Sequence, residues 1–241
     1  MSGSVHLIAW HDWRRADVLA WHDAMFAAAG PGPVTVAFFP TPFGDDANWT
    51  ERFAGLLRKR YAAEVRPVRL LRDPTPAAEL HEILGNAQLF YFTGGDQHLL
   101  MQPERRDLAR EIRRRIKAGA VAGGFSAGAI AIGPCWPDWP DPLQSELPEE
   151  GAKLVRGLGL QQRCIFDFHA EDDGWEELKA CLRLLAAQDP KQTHYGCGVP
   201  THGAARVLAA GAVEILGDPG PWFASGPDGV REIQAPEFAR S

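Results

Sequence analysis

Short apolar runs alternate with longer stretches of helical period along the first half of the chain. Val5–Trp10, Val34–Phe39, Val65–Leu71, Gln88–Thr93 and Ala120–Phe125 read as strands. Between them Arg14–Ala29, Trp49–Ala63, Pro76–Leu84 and Gln97–Lys117 read as helices, with Pro103 breaking the last, and another helix begins near Ala127. Asp12 is a candidate N-cap for the first helix, and Gly30 with Pro31 stops it. Thr75 and Pro76 suit an N-cap and a first helical residue. Strand alternating with helix at this spacing predicts an α/β fold, a mostly parallel sheet with helices on both faces in three layers. After Ile132 the period fades. Gly133–Gly151 is rich in proline, tryptophan and acid and is expected to be a functional loop. Arg163–Phe168 then reads as a strand, Trp175–Ala187 as a helix, and Thr193–Ala224 as short strands with turns. No linker composition interrupts the chain, which predicts one domain over residues 1–241.

Composition narrows the classes. The 241 residues are 45% hydrophobic and 23% charged, and carry a formal net charge of −6. A chain this long buries roughly 70% of its unfolded surface without staples, and an acidic balance offers nucleic acid no electrostatic footprint. The basic run Arg105–Lys117 also holds Asp107 and Glu111 and reads as a solvated helix face. None of the four cysteines forms a C-x-x-C pair, and Cys164 and Cys181 lie in apolar runs as buried thiols. The N-terminal residues have no signal-peptide pattern and no apolar run reaches about 18 residues, so the expectation is a cytoplasmic protein that does not engage a membrane. No cofactor and no metal are expected. Ala-Trp-His-Asp occurs at 9–12 and again at 20–23, which raises a metal reading for His11 with His22 against plain coincidence. The eight tryptophans suit core packing or a lined pocket.

Three motifs fall where predicted strands end. Gly124-Phe125-Ser126-Ala127-Gly128 is a G-x-S-x-G elbow between a strand and a helix. Small neighbours let the backbone turn sharply and lift the Ser126 hydroxyl above the sheet. The Ala127 N–H at the following helix start then faces a developing oxyanion. Thr93-Gly94-Gly95-Asp96-Gln97 is a second strand-to-helix turn, whose Gly95 N–H is a candidate second donor or part of an ordinary turn. Asp167-Phe168-His169 closes an apolar strand and offers His169 as the base that a serine nucleophile needs.

Together Tyr91–Gln97, Gly124–Ala129, Gly157-Leu158-Gly159-Leu160 and Asp167–His169 resemble the serine peptidase family of aspartyl dipeptidase (peptidase E) and cyanophycinase, in order and spacing across roughly residues 5–220. The resemblance implies a fold like the class I glutamine amidotransferases with serine in place of their cysteine. It further implies Ser126 as nucleophile, His169 as base, and the amides of Gly95 and Ala127 as oxyanion donors. A short peptide is the implied partner, and a homodimer is left open. The Gly-Gly-Asp-Gln form, with Asp96, is closer to the cyanophycinases than to the aspartyl dipeptidases, which resemble Gly-Gly-Asn there.

Two positions depart from that family. Where its members carry an acid after a late strand, this chain has Thr201 followed by His202. Asp141, fifteen residues past Ser126, is the first candidate for the third catalytic member, and Asp138 the second; each is otherwise a loop acid. Thr201 and His202 are carried as substrate-side candidates with Asp96. The dipeptidases are also expected to hold a substrate aspartate with an arginine soon after the histidine. Residues 170–182 contain no arginine but do contain Glu171, Asp172, Asp173, Glu176 and Glu177, which argues against an acidic substrate side chain or marks a solvated helix start. Trp136 and Trp139 are placed to line or gate the pocket. The expected activity is a serine exopeptidase on short peptides. A cyanophycinase-like hydrolase of aspartyl-arginine polymer and a catalytically impaired binding protein of the same fold are the alternatives.

Overall fold

The computed structural model describes residues 3–10, 12–100, 106–138 and 151–239. Five of its strands fall at the runs of the first half: β1 (Val5–Ile8), β2 (Thr35–Phe39), β3 (Glu64–Pro67), β4 (Leu89–Phe92) and β5 (Val121–Phe125), of which β3 ends four residues before the predicted Leu71. They pair in parallel in the order β1-β5-β4-β2-β3, and β10 (Gly203–Val207) and β11 (Val213–Gly217) extend the sheet antiparallel beyond β1. Every residue of β1, β4 and β5 is buried, as expected of strands covered on both faces.

The covering helices divide by the direction of the crossovers. The chain runs β1-α1-β2-α2-β3 towards one edge and returns as β3-α3-β4-α4-β5, so right-handed connections put the two helix pairs on opposite faces. On one face α1 (Ala16–Ala29) and α2 (Ala47–Tyr61) contribute Val18, Met25, Phe53 and Leu57 to a core with Phe38 and Tyr91. On the other, α3 (Ala77–Asn86), α4 (Arg106–Lys117) and α5 (Ala127–Ile132) contribute Ile83, Ile112 and Ile132 against Phe39 and Phe92. The predicted three-layer α/β architecture is therefore the observed one. β5 ends in the middle of the sheet, between β1 and β4, which is where open α/β sheets place ligands.

The second half differs from its sequence reading. β8 (Ile165–Phe168), β9 (Tyr195–Val199), β12 (Trp222–Gly226) and β13 (Gly229–Ile233) leave the main sheet and form their own, in the order β13-β12-β9-β8. The stretch predicted to be a structureless loop begins with β6 (Cys135–Asp138), which pairs antiparallel with β7 (Lys153–Arg156). This hairpin and the smaller sheet meet α6 (Glu176–Gln188) through Cys135, Ile165, Leu178, Leu182 and Phe223. Two cap assignments also change. Asp12 binds Arg14 through its backbone N–H and guanidinium instead of capping α1, and the Thr75 hydroxyl accepts from the Arg69 N–H instead of capping α3. In each case a nearby donor outcompetes the helix end. α2 has an unforeseen cap, Asp46, whose carboxylate accepts from the Trp49 N–H at 2.7 Å.

All four cysteines are buried and free, including Cys164 and Cys181. Among the described residues no helix is long and apolar enough to cross a membrane. His22 is a core residue. Its ring lies between the Val18 carbonyl and the Tyr91 hydroxyl, each at 2.8 Å, so both nitrogens are engaged within the fold. His11 lies outside the described residues.

Candidate active site

Ser126 sits between β5 and α5 with φ 50° and ψ −125°, a backbone conformation that a non-glycine residue rarely adopts. Holding it costs roughly 1–3 kcal/mol, which the surroundings must offset. They do so by clamping both sides of the turn. The Ser126 N–H donates to the Ile8 carbonyl at 3.0 Å, and its own carbonyl accepts from the Ile130 N–H at 3.0 Å. Gly128 packs so closely that a Cβ there would lie 2.4 Å from the Thr93 carbonyl oxygen. The strained turn is thus built from small residues against the ends of β1 and β4.

The hydroxyl it presents meets an imidazole. Ser126 Oγ lies 2.8 Å from His169 Nε2. His169 follows β8 with φ 47°, and its N–H donates to the Val199 carbonyl at 3.0 Å, which ties it to the end of β9. Trp10, 44% exposed at the end of β1, packs edge-on against the imidazole with ring centroids 5.6 Å apart. A serine hydroxyl held to an imidazole nitrogen at this distance is set up for proton transfer.

The third motif closes the site from β4. A Cβ on Gly94 would lie 3.3 Å from the Ser126 Cβ, so the Gly94-Gly95 turn runs alongside the elbow. Gly95 has φ 125°, and the Pro42 carbonyl oxygen occupies the space a side chain would need. Ala127, the first residue of α5, follows Ser126 directly in the chain.

The comparison with known proteins bears directly on this arrangement. The profile of Peptidase family S51 matches residues 17–208, which span all three motifs. The chain belongs to Peptidase family S51. No curated protein matches it by sequence. Among solved structures it is similar to a peptidase from an acI-B1 Actinobacterium, with a TM-score of 0.67 at 19% identity over 98% of this chain and 96% of that one. It is also similar to a putative peptidase E protein from Listeria monocytogenes EGD-e, with a TM-score of 0.57 at 18% identity over 91% of this chain and 99% of that one. At these identities the likeness establishes the peptidase E-type fold, and the family match makes the chain a peptidase.

The other residues named from the sequence of this S51 peptidase fall into distinct places. Asp96 uses its carboxylate to accept from the His98 N–H at 2.9 Å, capping the short turn Gln97–Leu100. Thr201 lies at the His169 side, and its N–H donates to Glu171 Oε1 at 2.6 Å. His202 faces outward, with Nε2 3.5 Å from Arg15 Nη1. Asp138 is in β6 opposite Lys153. Asp141 and Trp139 lie outside the described residues. Trp136 is buried in β6, and its indole N–H donates to His98 Nε2 at 3.4 Å, so it is a wall residue that packs under the turn after Gly95. Among the described residues no side chain hydrogen-bonds the second nitrogen of His169.

Three further residues bear on the site. Trp10, just past β1, packs against the His169 ring. Asp45, buried between β2 and α2, accepts from the Thr41 hydroxyl and from the N–H groups of Leu70, Leu71 and Arg72, and so fixes the loop that carries Pro42. Asp167 is buried two residues before His169. One carboxylate oxygen accepts from the Phe168 N–H at 2.8 Å, and the other has no hydrogen-bond partner among the described residues. It lines a narrow cavity with Gln97, Trp136 and Glu177. Burial, and then the charge of Glu177, pushes its carboxyl up to about 7.

Proposed function

We propose that this S51 peptidase is a serine exopeptidase that hydrolyses short peptides through an acyl-enzyme. The observation that carries the reading is the 2.8 Å contact between Ser126 Oγ and His169 Nε2 at a strained strand-to-helix elbow. Ser126 Oγ attacks the scissile carbonyl carbon while His169 Nε2 takes its proton. The carbonyl oxygen becomes the oxyanion between the N–H groups of Gly95 and Ala127. The C–N bond then breaks, and the imidazolium gives its proton to the leaving amine. Water, deprotonated by the same imidazole, attacks the ester and releases Ser126 with the second product. The Ser126→Ala variant tests this. It is expected to lose turnover of a short-peptide panel by several orders of magnitude and to lose labelling by a fluorophosphonate probe. Undiminished turnover in the variant would sink the mechanism, and a wild-type chain that binds peptides without labelling would instead be an inert binding protein.

A second reading has its own observation. Asp172, Asp173 and Glu176 are exposed in the stretch that follows His169, and a cluster of carboxylates there attracts a cationic side chain such as a guanidinium. This favours substrates with a basic residue, including an aspartyl-arginine polymer of the cyanophycin type. Release of aspartyl-arginine from that polymer, with peptides lacking arginine left intact, would select it.

A further inference from the structure

The imidazolium formed when Ser126 gives up its proton needs a nearby negative charge, and Thr201 at the position expected to be acidic has none. The Thr201 backbone has recruited one. Its N–H donates to Glu171 Oε1 at 2.6 Å across thirty residues of chain. Glu171 lies two residues beyond His169, and β8 and β9 run parallel with Phe168 opposite Val199, so both strand ends deliver their next residues to the same edge. The turn that follows is short and fixed: the Trp175 N–H returns to the Ala170 carbonyl at 3.2 Å and the Gly174 N–H to the Glu171 carbonyl at 3.3 Å.

We propose that Glu171, anchored on Thr201, is the positioning residue whose carboxylate holds the charge of the His169 imidazolium, replacing from the neighbouring loop the acid that Thr201 lacks. This rests on the Ser126–His169 reading above. Glu171 forms and breaks no covalent bond. It stays ionised while the proton moves from Ser126 Oγ to His169 Nε2 and on to the leaving amine. Burial works to raise its carboxyl, but the backbone and hydroxyl of Thr201 and the nearby His169 outweigh it and hold the group below its ordinary range. The other polar neighbours do not compete for this task. Trp10 offers a ring edge, His202 turns to Arg15, and Asp173 accepts from the Trp175 N–H at 2.8 Å.

Glu171→Gln separates charge from structure, because the amide oxygen still accepts from Thr201. Two readouts decide the matter: the pH dependence of fluorophosphonate labelling of Ser126, and the NMR titration of the His169 imidazole, which needs no substrate and no labelling. The variant is expected to label about fivefold more slowly at its plateau, the weight of a partly solvated charge pair. Its acid limb and its His169 titration midpoint should both move to lower pH. Adding Thr201→Glu to the variant should restore rate and midpoint together. An unchanged His169 midpoint in Glu171→Gln overturns the assignment, whether or not the rate falls. If the wild type does not label at all, the serine mechanism fails by itself, and the His169 titration still decides the role of Glu171.

Discussion

A Cβ placed on Gly95 would lie 2.1 Å from the carbonyl oxygen of Pro42. The same carbonyl accepts from the Asp96 N–H at 2.8 Å, so the turn after β4 is pinned to the loop after β2 by contacts that leave no room for a side chain. Gly95→Ala must therefore move the backbone, and the φ of 125° there is also one that alanine resists. The amide proposed to bind the oxyanion moves with it. Losing one such donor costs about 10²–10³-fold in rate. Labelling of Ser126 in Gly95→Ala should fall by that order while circular dichroism stays that of the wild type. A variant that labels normally would remove Gly95 from the oxyanion site.

Pro42 is itself held from below. The Asp45 carboxylate accepts from the Thr41 hydroxyl at 2.9 Å and from the N–H groups of Leu70, Leu71 and Arg72 at 2.8, 2.6 and 3.2 Å. Four donors converge on one buried anion. The three N–H groups converge on Oδ2 and the Thr41 hydroxyl on Oδ1, so Asp45→Asn keeps an acceptor for the three only by turning its NH₂ to Thr41, and it removes the charge that strengthens all four bonds. Hydrogen bonds to charged groups contribute about 1.5–3 kcal/mol each, and part of that is recovered by relaxation, so a loss of about 2 kcal/mol is expected. In a chain of this size that lowers the melting temperature by roughly 4–8 °C. The same variant should label more slowly, because Pro42 positions Gly95. A melting temperature within one degree of the wild type would show that the loop does not depend on Asp45.

What could be read in advance follows from how local its causes are. The central parallel strands were legible because a strand covered on both faces must be apolar throughout, and Leu89–Phe92 and Val121–Phe125 announce that without help from the rest of the chain. The G-x-S-x-G turn was legible because its glycines answer a local steric demand. The β6–β7 hairpin was not. Its strand Cys135–Asp138 contains Pro137 and has no alternation of its own, and it is held by α6, a helix some forty residues away in sequence. The separation of β8 and β9 from the main sheet depends equally on distant partners, β12 and β13. Glu171 was hidden for a different reason. In sequence it is one of five acids at a helix start, and only the fold chooses which of them reaches Thr201.

Two buried groups give the stability of the protein opposing responses to acid. Burial, and then the Asp167-facing charge of Glu177, raises the Asp167 carboxyl from 3.8 to about 7. The folded chain therefore takes up this proton at a higher pH than the unfolded chain, and stability rises as pH falls from about 7 towards 4. His6, in β1, is lowered from 6.5 to about 4 by burial and then by Arg206 opposite it on β10. Here the unfolded chain binds the proton first, and stability falls as pH drops from about 6.5 to 4. Across that window the two slopes offset each other, and the wild type should show a shallow profile. Asp167→Asn removes one of them. Its amide keeps the acceptor for the Phe168 N–H and no longer buries a charge, so the variant should be more stable than the wild type at pH 8 by about 2–4 kcal/mol. On acidification it should lose stability steeply, by up to about 3 kcal/mol between pH 6.5 and 4. Urea unfolding at half-unit intervals from pH 4 to 8 reads both effects, and a variant profile parallel to that of the wild type would refute the opposing pair.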